Sequence, residues 1–246
     1  MNAIGVIPAR FSSVRFEGKV IADLLGKPVI QYVWESAKKA KSLDDLVVAC
    51  DDERIYEAVE AFGGKAIMTA KAHESGTERI AEVVADRDVK VVVNIQADEP
   101  LIHPSMIDDV AYTLLNSDDV LVATVMKRIE DEKEISDANV VKVVFDKKGR
   151  ALYFSRCPIP FVREEEPGMR VHYKHIGLYG YTKDFLFIYK NLAVSKLEKL
   201  ERLEQLRILE NGYSIRVTET KYETIGVDTR EDLEKVKQWL IMKSKM

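Results

Sequence analysis

Cysteine is scarce in this sequence, and long apolar runs are absent. The 246 residues include two cysteines, Cys50 and Cys157, whose separation matches no metal-ligand spacing. The sequence begins without the apolar core of a signal peptide, and no apolar run approaches the roughly 20 residues that cross a membrane. We therefore expect a reduced, cytoplasmic protein that does not act at a membrane.

A surplus of positive charge is also missing. The 37 Lys and Arg residues are outnumbered by 41 Asp and Glu residues, and the net charge of −4 argues against a broad nucleic-acid surface. Hydrophobic residues make up 46% of the chain, which is typical of a globular protein rather than a disordered one. The length allows one large α/β domain or two small domains.

The most informative stretch is an apolar strand that ends in acidic residues. Residues 90–95 contain three consecutive valines and an isoleucine, which predicts a strand buried on both faces. Gln96, Asp98 and Glu99 follow, and Pro100 prevents further ladder hydrogen bonding. Ligands bind at the carboxyl ends of strands in open α/β sheets, so Asp98 is well placed to hold Mg²⁺ against a phosphate. An ordinary acidic turn explains the same pattern.

A basic loop at residues 9–27 follows the first predicted strand, residues 3–7, which Pro8 is expected to end. Its first part contains cationic and hydroxyl side chains and a glycine: Arg10, Ser12, Ser13, Arg15, Gly18 and Lys19. Arginine can donate two hydrogen bonds to a phosphate and lysine supplies a compact charge, so the loop suits a triphosphate. It matches neither Gly-x-x-x-x-Gly-Lys-Ser/Thr nor Gly-x-Gly-x-x-Gly, and a solvated basic loop is the alternative.

Strand and helix patterns alternate along the first half of the chain. The predicted strands are residues 3–7, 46–50, 66–68, 90–95 and 120–125. Helices are predicted between them, beginning near Pro28, Asp52, Ser75 or Thr77, and residue 104. This alternation predicts a parallel sheet with right-handed crossover connections.

The pattern changes after residue 125. Strands at 140–145 and 151–155 flank a hairpin turn, residues 164–168 read as an exposed loop, and residues 176–181 form a strand. Further predictions are a long helix at 195–211, strands at 213–217 and 224–227, and a last helix whose capping box is Thr229 with Asp232. We predict one Rossmann-like α/β domain over residues 1–246, with a smaller antiparallel lobe inserted at about 151–215.

Several short motifs together resemble those of one known family. They are Pro8-Ala9-Arg10, Gly18-Lys19, Ser75-Gly-Thr-Glu-Arg79, Asn94-Ile-Gln-Ala-Asp-Glu-Pro100, Ala151-Leu-Tyr-Phe-Ser-Arg156, His175-Ile-Gly-Leu-Tyr-Gly180, Leu203-Glu-Gln-Leu-Arg207 and Gly226-Val-Asp-Thr229. The chain is similar to the 3-deoxy-manno-octulosonate (Kdo) cytidylyltransferases, also called CMP-Kdo synthetases, from about residue 3 to residue 236. The segments at 75–79, 153–156 and 203–207 are the most specific of these motifs.

The resemblance implies a nucleotide-diphospho-sugar transferase type of fold and a homodimer joined through the inserted lobe. It also implies transfer of CMP from CTP to the anomeric hydroxyl of Kdo, with release of pyrophosphate, for lipopolysaccharide biosynthesis. The enzyme would align its substrates and neutralise phosphate charge. The catalytic residues would be Arg10, Lys19, Asp98 and Asp228, and the two aspartates would hold the Mg²⁺ cofactor.

The resemblance also assigns the substrate contacts. Those to CTP would be made by Pro8, Ala9, Arg10, Ser12, Arg15, Lys19, Ser75, Gly76, Thr77, Arg79 and Gln96. Those to Kdo would be made by Gln96, Arg156, His175, Tyr179, Glu204 and Gln205, with Arg156 suited to the sugar carboxylate. The chain departs from the family at Ala97, where Gly is usual, and at Phe16-Glu17, where Leu-Pro is usual.

Two other functions are compatible with the sequence. One is a cytidylyltransferase for a different acidic sugar, such as a sialic acid. The other is a non-catalytic nucleotide-binding or assembly protein with the same fold. The joint presence of Arg10, Lys19, Asp98 and Asp228 at one sheet edge argues against the second, because a structural sheet requires none of these charges.

Overall fold

A mixed β-sheet forms the centre of the computed structural model, which describes residues 1–73, 75–164 and 171–243. The strands are β1 (Ala3–Ala9), β2 (Asp23–Leu24), β3 (Lys27–Pro28), β4 (Asp45–Cys50), β5 (Ala66–Met68), β6 (Val91–Asn94), β7 (Val122–Arg128), β8 (Lys142–Phe145), β9 (Ala151–Ser155), β10 (Tyr173–Thr182) and β11 (Arg216–Glu219). The helices are α1 (Val29–Ala37), α2 (Glu53–Ala61), α3 (Gly76–Val84), α4 (Pro104–Leu115), α5 (Glu132–Ser136), α6 (Lys183–Asn191), α7 (Lys196–Glu201), α8 (Leu206–Glu210) and α9 (Arg230–Lys243).

The strand order is β11-β7-β10-β6-β1-β4-β5. Strands β5, β4, β1 and β6 are parallel to one another, and β11 is parallel to β7. Strand β10 runs antiparallel between β6 and β7, and the β8–β9 hairpin extends the sheet from β10. This architecture confirms the predicted α/β fold, with a mostly parallel sheet and an antiparallel addition.

Both faces of the central strands are buried, which explains their unbroken apolar sequences. In β1, Ala3 and Ile7 belong to one hydrophobic core, whereas Ile4 and Val6 belong to the core on the opposite face. Helices α1, α2 and α4 cover the first face, and α3, α6 and α8 cover the second. A strand covered by helices on both sides has no polar face, so its sequence does not alternate.

The prediction that Pro8 ends the first strand is wrong, because β1 continues to Ala9. Pro8 and Ala9 still pair with Ala49 and Cys50 of β4. The carbonyl of Val6 accepts a hydrogen bond from Ile95 on the β6 side, so Pro8, two residues later, turns its nitrogen to the same side. Pairing with β6 ends at Val6, and the missing N–H of Pro8 therefore breaks no ladder bond.

The predicted long helix at 195–211 is also wrong, because two short helices, α7 and α8, replace it. Arg202 ends α7 with a φ of 54°, a left-handed conformation that no helix can continue. The break turns Leu203 and Gln205 inward, where both are buried, and Leu206 packs in the core. Burial of these side chains overrides the helical preference of the local sequence. Helix α6 was not predicted.

The segment before α9 crosses the carboxyl edge of the sheet as a loop. The predicted strand at 224–227 is therefore wrong, and the one predicted at 213–217 lies slightly later, as β11. The N–H of Val227 donates to the carbonyl of Asp98 at 2.8 Å, which brings this loop against the end of β6. Residues 165–168 of the predicted exposed loop lie outside the described residues.

The predicted helix caps and the predicted hairpin are confirmed. Asp52 and Ser75 cap α2 and α3, and Thr229 and Asp232 exchange hydrogen bonds at the start of α9. Strands β8 and β9 form the predicted hairpin. Within the described ranges, no helix has both the length and the apolar character needed to cross a membrane.

Candidate active site at the carboxyl edge of the sheet

Lys19 joins the two aspartates predicted to bind metal. Its Nζ lies 2.5 Å from Asp98 Oδ2 and 2.8 Å from Asp228 Oδ1, and Arg15 Nη2 lies 2.9 Å from Asp228 Oδ2. Burial acts to lower the pKa of Lys19, but the two carboxylates outweigh it and the pKa lies above its ordinary value. Four of the predicted site residues therefore form one charged cluster.

The donor set of this cluster fits a magnesium ion. Asp98 and Asp228 direct one oxygen each at a single cationic nitrogen, so their carboxylates converge on one point. Thr229 caps α9 through its hydroxyl, so Asp228 is not required as the cap. Among the residues described, no group of three or more His, Cys, Asp or Glu side chains forms a complete metal cage. Mg²⁺ commonly binds through one or two carboxylates and takes its other ligands from phosphates and water.

The loop between β1 and Lys19 is closed by short-range contacts. Gly18, at a φ of 68°, donates its N–H to the carbonyl of Phe11 at 2.9 Å. A Cβ on Gly18 would lie 3.2 Å from the Phe11 ring, so glycine suits both the backbone conformation and the space. Arg10 Nη2 is buried with no hydrogen-bond partner among the residues described. An unsatisfied buried cationic donor favours an anionic ligand beside it.

The start of α3 packs against the end of β1. Ser75 Oγ accepts the N–H of Glu78 at 3.2 Å, so Ser75 acts as the helix cap. A Cβ on Gly76 would meet Pro8 at 3.4 Å, so this glycine permits close packing of the two segments. Ala9 and Thr77 are buried in the same region, and Ser12 is exposed.

Arg79 lies behind this edge rather than on it. Its side chain has no exposed surface; Nη2 is 3.0 Å from Asp51 Oδ2, and Nη1 donates to the hydroxyl of Thr69. The prediction that Arg79 contacts CTP directly thus does not match its position. Neither Asp51 nor Thr69 was singled out by the sequence analysis. Asp51 directly follows an apolar strand, and that is the signal that could have identified it.

A cavity of about 330 Å³ lies between α3, β6, β10 and the α7–α8 turn. Its lining contains five of the six residues predicted for Kdo: Gln96, His175, Tyr179, Glu204 and Gln205. Residues not singled out before also line it: Asn94, Gly177, Tyr181, Tyr189, Arg202 and Leu203. Gly76 and Thr77, predicted for CTP, line the same cavity, so residues predicted for the two substrates lie side by side.

Burial governs the ionisation of this cavity's side chains. It lowers the pKa of His175 to about 3, and the His175 Nε2 lies 3.1 Å from Thr124 Oγ1. It raises the pKa of Glu204, and Gln205 is buried without a charge. His175 is therefore neutral near pH 7 and offers a hydrogen bond instead of a positive charge.

Arg156 does not belong to the lining of this cavity. Its guanidinium donates to three backbone carbonyls, those of Glu201 (2.7 Å), Ala138 (2.8 Å) and Arg202 (3.4 Å). Because Arg202 lines the cavity, Arg156 holds the turn that forms one wall. Its distance from the other Kdo candidates could not be predicted from sequence.

Glu99 joins Asp98 to the loop that carries Asp228. Its carboxylate accepts a hydrogen bond from the hydroxyl of Thr224, and it packs against Gly226. Burial, followed by the negative charges of Asp98 and Asp228, raises the pKa of Glu99 to about 8. The sequence placed Glu99 at the strand end but gave it no role.

The departures from the family pattern do not disturb the charged cluster. Ala97 is buried in the hydrophobic core. Phe16 is buried beside Val227, with the Arg230 guanidinium 4.8 Å from its ring centroid. Glu17 is exposed.

The chain is similar to proteins of known activity over nearly its whole length. A family model described as "Cytidylyltransferase" matches residues 4–222. A 3-deoxy-manno-octulosonate cytidylyltransferase of Solibacter usitatus is 54% identical, with 95% of this chain and 92% of the relative covered. A protein of the same name from Thermodesulfovibrio yellowstonii is 50% identical, with 95% and 96% covered.

Two solved structures have folds similar to that of this chain. A structure named CMP:2-keto-3-deoxy-manno-octonic acid synthetase complexed with CTP is 41% identical, with a TM-score of 0.93 over 99% of this chain and 100% of that one. A cytidylyltransferase from Leptospira borgpetersenii has a TM-score of 0.65 at 14% identity, with 96% and 85% covered. At that identity the likeness shows a common fold and nothing more.

Proposed function

This chain belongs to the cytidylyltransferase family, and within it to the 3-deoxy-manno-octulosonate cytidylyltransferases, and we propose how its residues perform that family's reaction. It is a nucleotidyltransferase that transfers CMP from CTP to Kdo and releases pyrophosphate. The observation that carries the proposed site is the convergence of Asp98 and Asp228 on Lys19 at the carboxyl edge of the sheet. Such edges are where α/β sheets bind their ligands.

The triphosphate would lie along the loop between β1 and Lys19. Arg10 has a buried, unsatisfied donor, and Arg15 and Lys19 already lie within hydrogen-bond distance of the carboxylates. Fixed cations at this position stabilise negative charge as it develops on the departing pyrophosphate. The loop therefore binds and orients the nucleotide.

Asp98 and Asp228 would hold Mg²⁺, whose charge, when it is bound, neutralises phosphate oxygens. Lys19 bridges the two carboxylates, and the backbone N–H of Val227 donates to the backbone carbonyl of Asp98, so the loop before α9 is held against the end of β6. The number of ions is a separate question that metal titration can answer.

The sugar would occupy the cavity beside the nucleotide. Gln96 and Gln205 supply amide groups, His175 a neutral imidazole and Tyr179 a hydroxyl, all suited to sugar hydroxyls. Arg156 would meet the Kdo carboxylate after leaving at least one of its carbonyl partners. The role of this chain is to place the anomeric hydroxyl of Kdo in line with the bond between the α-phosphorus of CTP and the departing pyrophosphate.

We also propose a cytoplasmic homodimer joined through the antiparallel lobe. In this lobe the large apolar side chains of Leu152, Phe161 and Leu200 are 62%, 87% and 69% exposed, and an interface between two copies would remove them from water. Light scattering should give twice the monomer mass for the wild-type chain. Leu152→Glu should shift the mass toward the monomer, and an unchanged mass would remove Leu152 from the interface.

The function is tested by following pyrophosphate release with CTP and Mg²⁺ in the presence of Kdo, a sialic acid or no sugar. We expect release with Kdo alone, loss of release with a chelator, and CMP-Kdo detected by mass spectrometry. Release with the sialic acid but not with Kdo would overturn the sugar assignment. CTP binding without release from any sugar would instead indicate a non-catalytic nucleotide-binding protein.

A further inference from the structure

Asp51 connects two segments of the sheet edge proposed to bind the nucleotide, which we call the nucleotide edge. These segments, the loop after β1 and the start of α3, are distant in sequence. It follows β4 directly, and its side chain is 13% exposed. Its Oδ1 accepts the N–H of Phe11 at 3.1 Å, and its Oδ2 accepts Nη2 of Arg79 at 3.0 Å. One carboxylate therefore contacts both the loop after β1 and helix α3.

On the α3 side, Asp51 neutralises a completely buried cation. Arg79 has no exposed surface, and its second terminal nitrogen donates to Thr69, whose hydroxyl donates to the carbonyl of Cys50 at 2.9 Å. Removal of one member of a buried ion pair leaves an uncompensated charge. Arg79 is thus fixed to the end of β4, and it holds the first turn of α3, whose Gly76 lines the substrate cavity.

On the loop side, Asp51 binds the backbone N–H of Phe11, and the carbonyl of the same residue accepts the N–H of Gly18, the residue before Lys19. The Arg54 guanidinium lies 3.3 Å from the centroid of the Phe11 ring and fixes its outer face. Displacement of Phe11 would therefore be passed to Lys19 through Gly18.

We propose that Asp51 is a positioning residue that sets the triphosphate loop relative to α3, the helix whose first residues line the substrate cavity. The proposal rests on the proposed function in that residues 10–19 are taken as the triphosphate loop. Asp51 touches no substrate in this role. Loss of its hydrogen bond to the loop should weaken CTP binding. In chains that already lack Arg79, the same loss should leave Kdo binding unchanged, because Asp51 then contacts only the loop.

The test separates the hydrogen bond to the loop from the ion pair. In an Arg79→Met background no buried guanidinium requires a counter-charge. Asp51→Asn in this background keeps an acceptor for the Phe11 N–H, whereas Asp51→Ala removes it. The two double variants differ only in the residue at position 51, so each is the matched control for the other.

We expect the Kd for CTP, measured calorimetrically without sugar, to be about five- to tenfold higher for the Ala double variant than for the Asn double variant. Backbone hydrogen exchange in residues 10–18 should be faster in the Ala variant, and the two Tm values should agree closely. Equal Kd values with equal exchange would overturn the proposal, as would a Tm difference with no change in loop exchange.

The sugar assays distinguish this proposal from the proposed function. If the wild-type chain binds CTP but transfers CMP to no sugar, the proposed function fails, while the Kd ratio still decides the role of Asp51. If transfer to Kdo proceeds and the two double variants have the same KM for CTP, the proposed function stands and the positioning role of Asp51 is overturned. A higher KM for CTP in the Ala variant, with the same KM for Kdo, supports it.

Discussion

At the edge proposed to bind the nucleotide, charged side chains neutralise one another, whereas the cavity proposed to bind the sugar is lined by aromatic, amide and buried ionisable groups. Lys19 bridges Asp98 and Asp228, and Asp51 pairs with Arg79. In the cavity, burial alone lowers the pKa of His175, and burial is the main cause that raises the pKa of Glu204. The first region is organised by opposite charges, and the second by packing.

This difference predicts which kinetic constant a substitution in each region should change. A carboxylate removed from the nucleotide edge leaves cations without partners and removes a metal ligand, so the loss should fall on turnover. A side chain removed from the cavity changes a set of hydrogen bonds to a sugar, so the loss should fall on the KM for Kdo. Variants in both regions can break or sharpen the comparison.

The largest effect is expected from Asp98→Asn, which keeps the shape of the side chain but removes its charge. Charge stabilisation by a bound metal contributes several kcal/mol, so kcat should fall by about a thousandfold or more. Pyrophosphate release at saturating CTP and Kdo measures the loss, and far-UV circular dichroism checks the fold. The control is Asp118→Asn, in an exposed turn. A wild-type rate that still depends on Mg²⁺ would rule out Asp98 as a ligand.

A smaller effect is expected from Arg156→Ala in the sugar region. A charge-assisted hydrogen bond to the Kdo carboxylate contributes about 1.5–3 kcal/mol, so KM for Kdo should rise about 10- to 100-fold. KM for CTP should stay unchanged, because the guanidinium contacts the α7 end and Ala138 rather than the phosphate loop.

Ser155→Ala serves as the matched control for Arg156, because Ser155 also bonds to Glu201 but carries no charge. If Ser155→Ala raises KM for Kdo as much as Arg156→Ala does, Arg156 acts by holding the wall of the cavity. If neither variant changes KM for Kdo, Arg156 does not belong to the sugar site.

The same contrast explains what the sequence could predict. Asp98 follows one apolar strand, and Lys19 lies in the loop after another. Because parallel strands bring their carboxyl ends to one edge of the sheet, the sequence pattern and the predicted topology together placed these residues near each other. The cavity depends on Arg202, a non-glycine residue in the left-handed conformation, which interrupts a segment of strong helical pattern. The break is enforced by the burial of Leu203 and Gln205 in the tertiary structure, and local helix propensity carries no information about that burial.

Arg79 shows the second limit of sequence reasoning. Its motif placed it correctly at the start of α3, but a motif does not show which way a side chain points. Its complete burial depends on Asp51 and Thr69, which lie 28 and 10 residues away in sequence. The tertiary fold brings these residues together, so neither spacing nor periodicity predicts the contacts.

The smallest effect is expected in the pH dependence of stability, and it should arise in the sugar cavity. Burial lowers the pKa of His175 from 6.5 to about 3 in the folded chain. As the pH falls below 6.5, the unfolded chain takes up a proton at this histidine that the folded chain rejects. The contribution of His175 to stability is therefore complete above pH 6.5 and is lost progressively toward pH 3.

Urea unfolding of wild type and His175→Gln at pH 7 and pH 5 measures this contribution. Between these values the wild-type free energy of unfolding should fall by about 1–2 kcal/mol more than that of the variant, since each pH unit contributes at most about 1.4 kcal/mol. Tyr179→Phe alters the same cavity without a group that titrates in this range, so it should behave as wild type. The raised pKa values of Lys19 and Glu99 are common to the wild type and both variants, so their effects on stability cancel in this comparison. An identical pH dependence for wild type and His175→Gln would show that the cavity does not hold this imidazole neutral, and the contrast between the two regions would then rest on the charged cluster alone.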